Sequence, residues 1–155
     1  MAQQKVILDN LSNSDNVSIT PEDGVLYYVI YGFADIKKKI EIHLTREGAE
    51  ANILGILIGR EGECGLTTLQ HHKAPNTKSD LLVKTILTGD AKFSYDGLIQ
   101  IDRDAQKSNA YQRNGPACTS STCGNETCST NQIVRFRMTP TTAAVIAASA
   151  PERRW

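Results

Sequence analysis

Two adjacent histidines, His71 and His72, and three cysteines, Cys118, Cys123 and Cys128, are the side chains of this sequence whose types and spacing could hold a metal. Thiolates are the usual ligands of iron–sulfur clusters. The three cysteines recur with four residues between successive members. That spacing matches neither the CxxC pairs of zinc sites nor, without Cys64, a complete four-cysteine cluster set. Adjacent histidines on a strand would point to opposite faces, so at most one of them faces a given site. Two readings of the pair stand: a hydrogen-bonded histidine at a strand end, or a metal or cluster contact. Catalysis finds less support. No nucleophile has a base next to it in sequence, and no phosphate-cradling glycine loop is present. Asp102 and Asp104 flank a turn and read as solvated, and the paired carboxylates of a glycoside hydrolase are not evident.

The elements that must position these groups read as strands. Before residue 114, apolar runs recur between turn signals: VLYYVIYG (25–32), KIEIHLT (39–45), NILGILIG (52–59), GLTTLQ (65–70), DLLVKTILTG (80–89) and GLIQI (97–101). Ile40, Ile42 and Leu44 alternate with Glu41 and His43, the period-2 signature of a half-buried strand. Glu47-Gly48, Glu61-Gly62, Gly89-Asp90 and Asp96-Gly97 are read as turns, and Gly55 as a site of close approach by a neighbouring strand. Ile40, Ile42, Leu44, Ile56, Leu82 and Leu98 are the expected interior or closely packed positions. Strand starts every 12 to 15 residues fit either an antiparallel sandwich or a solenoid of stacked coils. Only Asp96-Gly97 resembles a tight hairpin loop, which favours the solenoid.

Formal charge is zero, with 17 basic and 17 acidic residues, so the overall balance gives no sign of capture of nucleic acid or an anionic membrane. No run approaches the roughly 18 apolar residues of a membrane span, and the first residues lack a signal peptide's apolar stretch. A cytoplasmic location is the expectation.

Four segments in order, EGAEANILGILIG (47–59), LQHHKAPNTKSD (69–80), FSYDGLIQI (93–101) and DAQKSNAYQRN (104–114), resemble the core of the SufB/SufD family, closest to its SufD-type members. The resemblance implies an all-β, right-handed parallel β-helix, a β-solenoid, whose core spans residues 1–114. It also implies a non-enzymatic scaffold role in the SUF system of iron–sulfur cluster assembly, with a SufC-like ATPase and a SufB/SufD-like subunit as partners. A cluster would then be held transiently at a subunit interface, with none intrinsic to this chain, and a homodimer is a further implied state. The rival expectation is a β-solenoid binding protein that has lost the assembly role.

Residues 115–155 depart from that pattern. The family continues with a leucine-rich coil, an Asp-Asp-Val-like strand, a Cys-x-His motif and a helical region that contacts SufC. This segment instead carries no lysine, seven threonines and three cysteines. A shifted reading frame, a divergent and mostly disordered tail, and a metal-binding appendage are the three accounts of it. The segment is expected to pack poorly on the β-helix, although QIVRFRM alternates well enough to add one edge strand and AAVIAASA contains good helix formers. The cysteines are expected to hold no stable cluster by themselves. Anaerobic reconstitution should therefore yield no stoichiometric cluster that disappears when Cys118, Cys123 and Cys128 are changed to serine.

Overall fold

The computed structural model describes residues 4–13, 16–21, 24–118, 129–138 and 144–149. Inward and outward side chains alternate along each long strand, and that alternation builds the architecture. The strands are β1 (Gln4–Asp9), β2 (Val17–Ile19), β3 (Val25–Gly32), β4 (Ile36–Leu44), β5 (Glu50–Gly59) and β6 (Glu63–His72), followed by β7 (Lys78–Leu87), β8 (Lys92–Ile101), β9 (Ser108–Cys118), β10 (Ser129–Met138) and β11 (Ala144–Ser149). Odd-numbered strands form one sheet in the order β1-β3-β5-β7-β9-β11, and even-numbered strands form the other, β2-β4-β6-β8-β10. Every pairing is parallel. Parallel neighbours need a long crossover, and here the crossover is a strand of the opposite sheet. The chain is therefore a parallel β-solenoid with two strands per coil. Val25 pairs with Glu50, Glu50 with Lys78 and Lys78 with Asn109, so successive coils take 25, 28 and 31 residues.

The core lies between the two sheets. Ile40, Ile42 and Leu44 of β4 are buried as the alternation predicts, opposite Leu26, Tyr28 and Ile30 of β3. The inward row of β5 is Ala51, Ile53, Gly55, Leu57 and Gly59, and β7 contributes Leu81, Val83 and Leu87. Gly55 is a close approach as expected, since a Cβ there would lie 3.1 Å from Val83. Ile56, expected inside, instead points outward and is 47% exposed, because Gly55 and Leu57 take the inward phase of β5. Leu82 and Leu98 are likewise on the outward phase, though half-buried. One inward cation breaks the apolar pattern of the early coils. Lys38 is 4% exposed, sits 2.8 Å from the Asp9 carboxylate and donates to Asn13 Oδ1 at 3.0 Å. Tyr28 donates to the same carboxylate. Burial opposes the charge on Asp9, but the hydrogen bonds from Lys38, Tyr28 and the Leu11 amide outweigh it and hold its pKa below the usual carboxylate value.

Two further differences from the sequence reading have physical causes. Asp96-Gly97 is not a turn but lies in the middle of β8. A Cβ on Gly97 would fall 1.9 Å from Gln112 Nε2 and 2.7 Å from the Tyr95 hydroxyl, so this glycine marks a close approach inside the solenoid. β9 runs through residue 114 to Cys118. Of the segment expected to pack poorly, β10 pairs with β8 over Ser129–Met138 and β11 pairs with β9 over Ala144–Ser149. The edge strand foreseen in QIVRFRM is thus β10, and Arg135 Nε donates to Asp96 Oδ1 across that ladder at 3.2 Å. AAVIAASA, for all its helix formers, supplies β11, because the unpaired edge of β9 offers backbone partners that outweigh a weak helical preference.

Two turn glycines give a graded test. Gly48 has φ +74° and a Cβ there would meet nothing within 4 Å, whereas Gly89 has φ +57° and its Cβ would lie 2.6 Å from the backbone carbonyl oxygen of Arg60. Gly48→Ala should cost only the left-handed backbone term of about 1–2 kcal/mol. Gly89→Ala should cost more, because a backbone atom cannot swing aside. Urea denaturation of both variants checks this ranking, and equal losses would contradict the close contact.

Candidate functional site

The end of β6 sends its two histidines in opposite directions. The strand is held there by the Lys73 amide donating to the Leu44 carbonyl and the Asp102 amide donating to the His72 carbonyl. His72 points inward and is fully buried. Its Nδ1 lies 2.7 Å from Thr77 Oγ1 and its Nε2 lies 2.9 Å from Ser79 Oγ. Thr77 Oγ1 is also 2.8 Å from Ser108 Oγ and donates to the Ala74 carbonyl at 3.1 Å, which closes the local turn between β6 and β7. A neutral imidazole satisfies this set in one arrangement: Nδ1–H donates to Thr77, and Nε2 accepts from Ser79. Burial, with a smaller contribution from the charge of His71, pushes the His72 pKa down to about 4, so the ring is neutral near pH 7. A serine within 2.9 Å of an imidazole has the spacing of a nucleophile and its base. Ser79 and His72 are nevertheless both buried, so no substrate reaches them.

His71 points outward and is 13% exposed at its side chain. Its Nε2 lies 3.0 Å from Asp102 Oδ1 and 3.1 Å from Gln100 Nε2, and its ring centroid is 5.5 Å from that of His43. His43 Nε2 lies 3.5 Å from Glu41 Oε2, and Glu41 Oε1 is 2.6 Å from Lys39 Nζ. Asp102 flanks a turn with its side chain 41% exposed, as the sequence suggests, and its carboxylate also meets His71 and Gln100. Burial would raise its pKa, but hydrogen bonds from His71 and Gln100, with the charge of Lys73, hold it below the usual value. Sequence reasoning passed over His43 and Gln100. The signal lay in the coil spacing, because the ladder sets His43 beside His71 and His71 beside Gln100 on three successive strands.

The solenoid interior is itself polar beyond His72. Gln70 Nε2 donates to Gln112 Oε1 at 3.0 Å, and Thr68 Oγ1 lies 2.7 Å from the Tyr95 hydroxyl. The polar side chains of β9 divide by phase, with Gln112 inward and Asn109 and Arg113 outward.

Of the three predicted cysteine ligands, the one within the described residues, Cys118, is not at this place. Cys118 ends β9 and its backbone pairs with Leu87, at the far end of β7 from Ser79, the contact of His72. Eight residues of parallel strand separate those two positions, about 26 Å. Cys123 and Cys128 lie outside the described residues. Cys64, at the start of β6, is buried, and burial pushes its thiol up to about 11. Such a thiol carries almost no thiolate near neutral pH and is a poor nucleophile or ligand. Among the described residues no group of three or more His, Cys, Asp or Glu is placed to hold a metal ion. No helix among them is long and apolar enough to cross a membrane.

One family comparison agrees with this architecture. The domain described as "SUF system FeS cluster assembly, SufBD core domain" matches residues 26–134, from β3 into β10. No curated protein and no solved structure gave a match.

The buried imidazole has a pH signature. Its folded-state pKa of about 4 lies below the ordinary 6.5, so the unfolded chain binds the extra proton between those values. Stability from this group is complete above pH 6.5 and is lost as pH falls toward 4, by roughly 3 kcal/mol in all. His72→Gln should be less stable than wild type at pH 7.5, by about 1–3 kcal/mol for imperfectly satisfied hydroxyls. Its stability should fall less steeply below pH 6.5, so that the two curves converge. Urea denaturation between pH 4.5 and 7.5 measures this, and parallel curves would rule it out.

Proposed function

The chain belongs to the SufBD core family of the SUF system for iron–sulfur cluster assembly, and from that premise we propose that it is a non-enzymatic scaffold subunit, of SufD type, acting in the cytoplasm. The observation that carries the reading is the extent of the family match, which follows the coils through most of the solenoid rather than a single motif. The assembled cluster is cargo, held transiently where this chain meets a SufB-like subunit. ATP turnover is supplied by a SufC-like partner, in keeping with the lack of any phosphate-cradling loop in the sequence.

The side chains support a positioning role over a chemical one. The inner histidine is committed to two hydroxyls, and the Cys64 thiol is sealed in the core. His71 points outward with its Nε2 engaged by Asp102 and Gln100, so a cluster contact through this ring would use Nδ1, the partnered nitrogen fixing its orientation as a second hydrogen-bonding group does for a ligating imidazole. The reading makes a sharp biochemical demand. Co-expressed with SufC-like and SufB-like subunits, the tagged chain should retain both through gel filtration, and purified alone it should turn over no ATP. Steady ATP hydrolysis by a preparation free of the SufC-like subunit would remove the scaffold assignment, and failure to retain either partner would remove the assembly role.

A further inference from the structure

The two outward histidines of the even sheet form a pair that neither strand carries alone. His43 lies on the outward row of β4 and His71 on that of β6, and the register sets them directly beside each other. Neighbouring strands run about 4.8 Å apart, so two side chains paired in this way on one face reach a common point above the sheet. Both remain open to solvent at their tips, with side chains 18% and 13% exposed.

Each ring is held at one nitrogen by a carboxylate. His43 Nε2 lies 3.5 Å from Glu41, and His71 Nε2 lies 3.0 Å from Asp102. Glu41 belongs to β4 and Asp102 follows β8, so the two anions grip the pair from different strands. The other nitrogens are left over. His43 Nδ1 is buried and meets no hydrogen-bond partner, a costly state for a polar atom taken out of water. Both hydrogen bonds of His71 run through Nε2.

The spacing of the rings suits a metal ion. A zinc ion about 2.0–2.1 Å from a ligating nitrogen lies roughly 3.2 Å from that ring's centre, and two rings set at a tetrahedral angle on one ion have centres about 5.2 Å apart. The ring centres of His43 and His71 are 5.5 Å apart, with the rings tilted by 60°. Imidazole nitrogen is a preferred donor for zinc.

We propose that His43 and His71 chelate one zinc ion through their Nδ1 atoms, with water completing a tetrahedral site on the outer face of the even sheet. Glu41 and Asp102 then orient the ligating rings, as carboxylates behind zinc-bound histidines do. Among the described residues no third His, Cys, Asp or Glu is in place to close the site. Two imidazoles therefore make an open chelate rather than a structural cage, and the ion exchanges with solvent. The proposal does not rest on the assembly role, since both ligands belong to one chain. Zinc and a cluster would exclude each other at His71, because both need its Nδ1.

Zinc titration of the full chain, followed through long-range proton–nitrogen NMR correlations of its three histidines, tests the site. Zn²⁺ should shift the Nδ1 signals of His43 and His71 together, saturating at one ion per chain, and leave the core imidazole of His72 unchanged. Calorimetry on the chain with Cys118, Cys123 and Cys128 changed to serine removes competing thiolates. There, His43→Asn and His71→Asn should each abolish saturable zinc binding with an unchanged circular dichroism spectrum. Zinc uptake that leaves both outward rings unshifted would overturn the proposal, and so would an affinity that survives His43→Asn, because the ion would then be held elsewhere.

Discussion

Backbone hydrogen bonds between one coil and the next are the interaction on which everything else in this molecule rests. A parallel strand cannot satisfy its N–H and C=O groups within its own coil, so each strand takes its partners from the coils before and after it. The pairing fixes register, and register fixes phase, because a slip of one residue would turn every inward side chain outward. Both histidine environments follow from it. His72 reaches Ser79 because the turn after β6 returns the chain to the opposite sheet, and His71 lies between His43 and Gln100 because the ladder repeats the same height on three coils.

The interior changes character along the solenoid axis. The early coils are filled by Leu26, Tyr28, Ile30, Ile40, Ile42 and Leu44, with Lys38 and Asp9 as a single clasped ion pair. The later coils bury His72, Thr77, Ser79, Ser108, Gln70 and Gln112. Polar groups taken out of water must find partners or lose stability. Most of these find one another across the two sheets, through hydroxyl to imidazole and amide to amide contacts. Such contacts demand particular distances, whereas apolar packing tolerates more variation, so the later coils are the more tightly specified in geometry.

The strands and the burial of Ile40, Ile42 and Leu44 were legible because alternation and turn glycines are local signals, whereas the parallel stacking came from the family resemblance and the scarcity of tight hairpin loops. Ile56 was not. The outward row of β5 is as apolar as the inward one, so period-2 reading cannot tell which phase enters the core; the small residues Gly55 and Gly59 on the inward row are the clue. Asp96-Gly97 looked like a turn because the dipeptide favours one, while the need for space beside Gln112 is a contact between strands remote in sequence. His43 and Gln100 were overlooked for the same reason, since nothing near either residue announces the other. The strand at Ala144–Ser149 was set by the free edge of β9, which no local propensity records.

The near-constant step from one coil to the next governs how the chain reaches this structure. Val25 to Glu50, Glu50 to Lys78 and Lys78 to Asn109 are loops of similar length, and the entropy of closing a loop grows only slowly with its length. Each added coil thus meets almost the same barrier and gains a comparable ladder. The first pair of coils has no template to dock on and is the slow event; afterwards growth proceeds by nearest-neighbour addition, as in a one-dimensional lattice. Kinetically the molecule is a zipper, whose speed is set by where it starts rather than by how long it is.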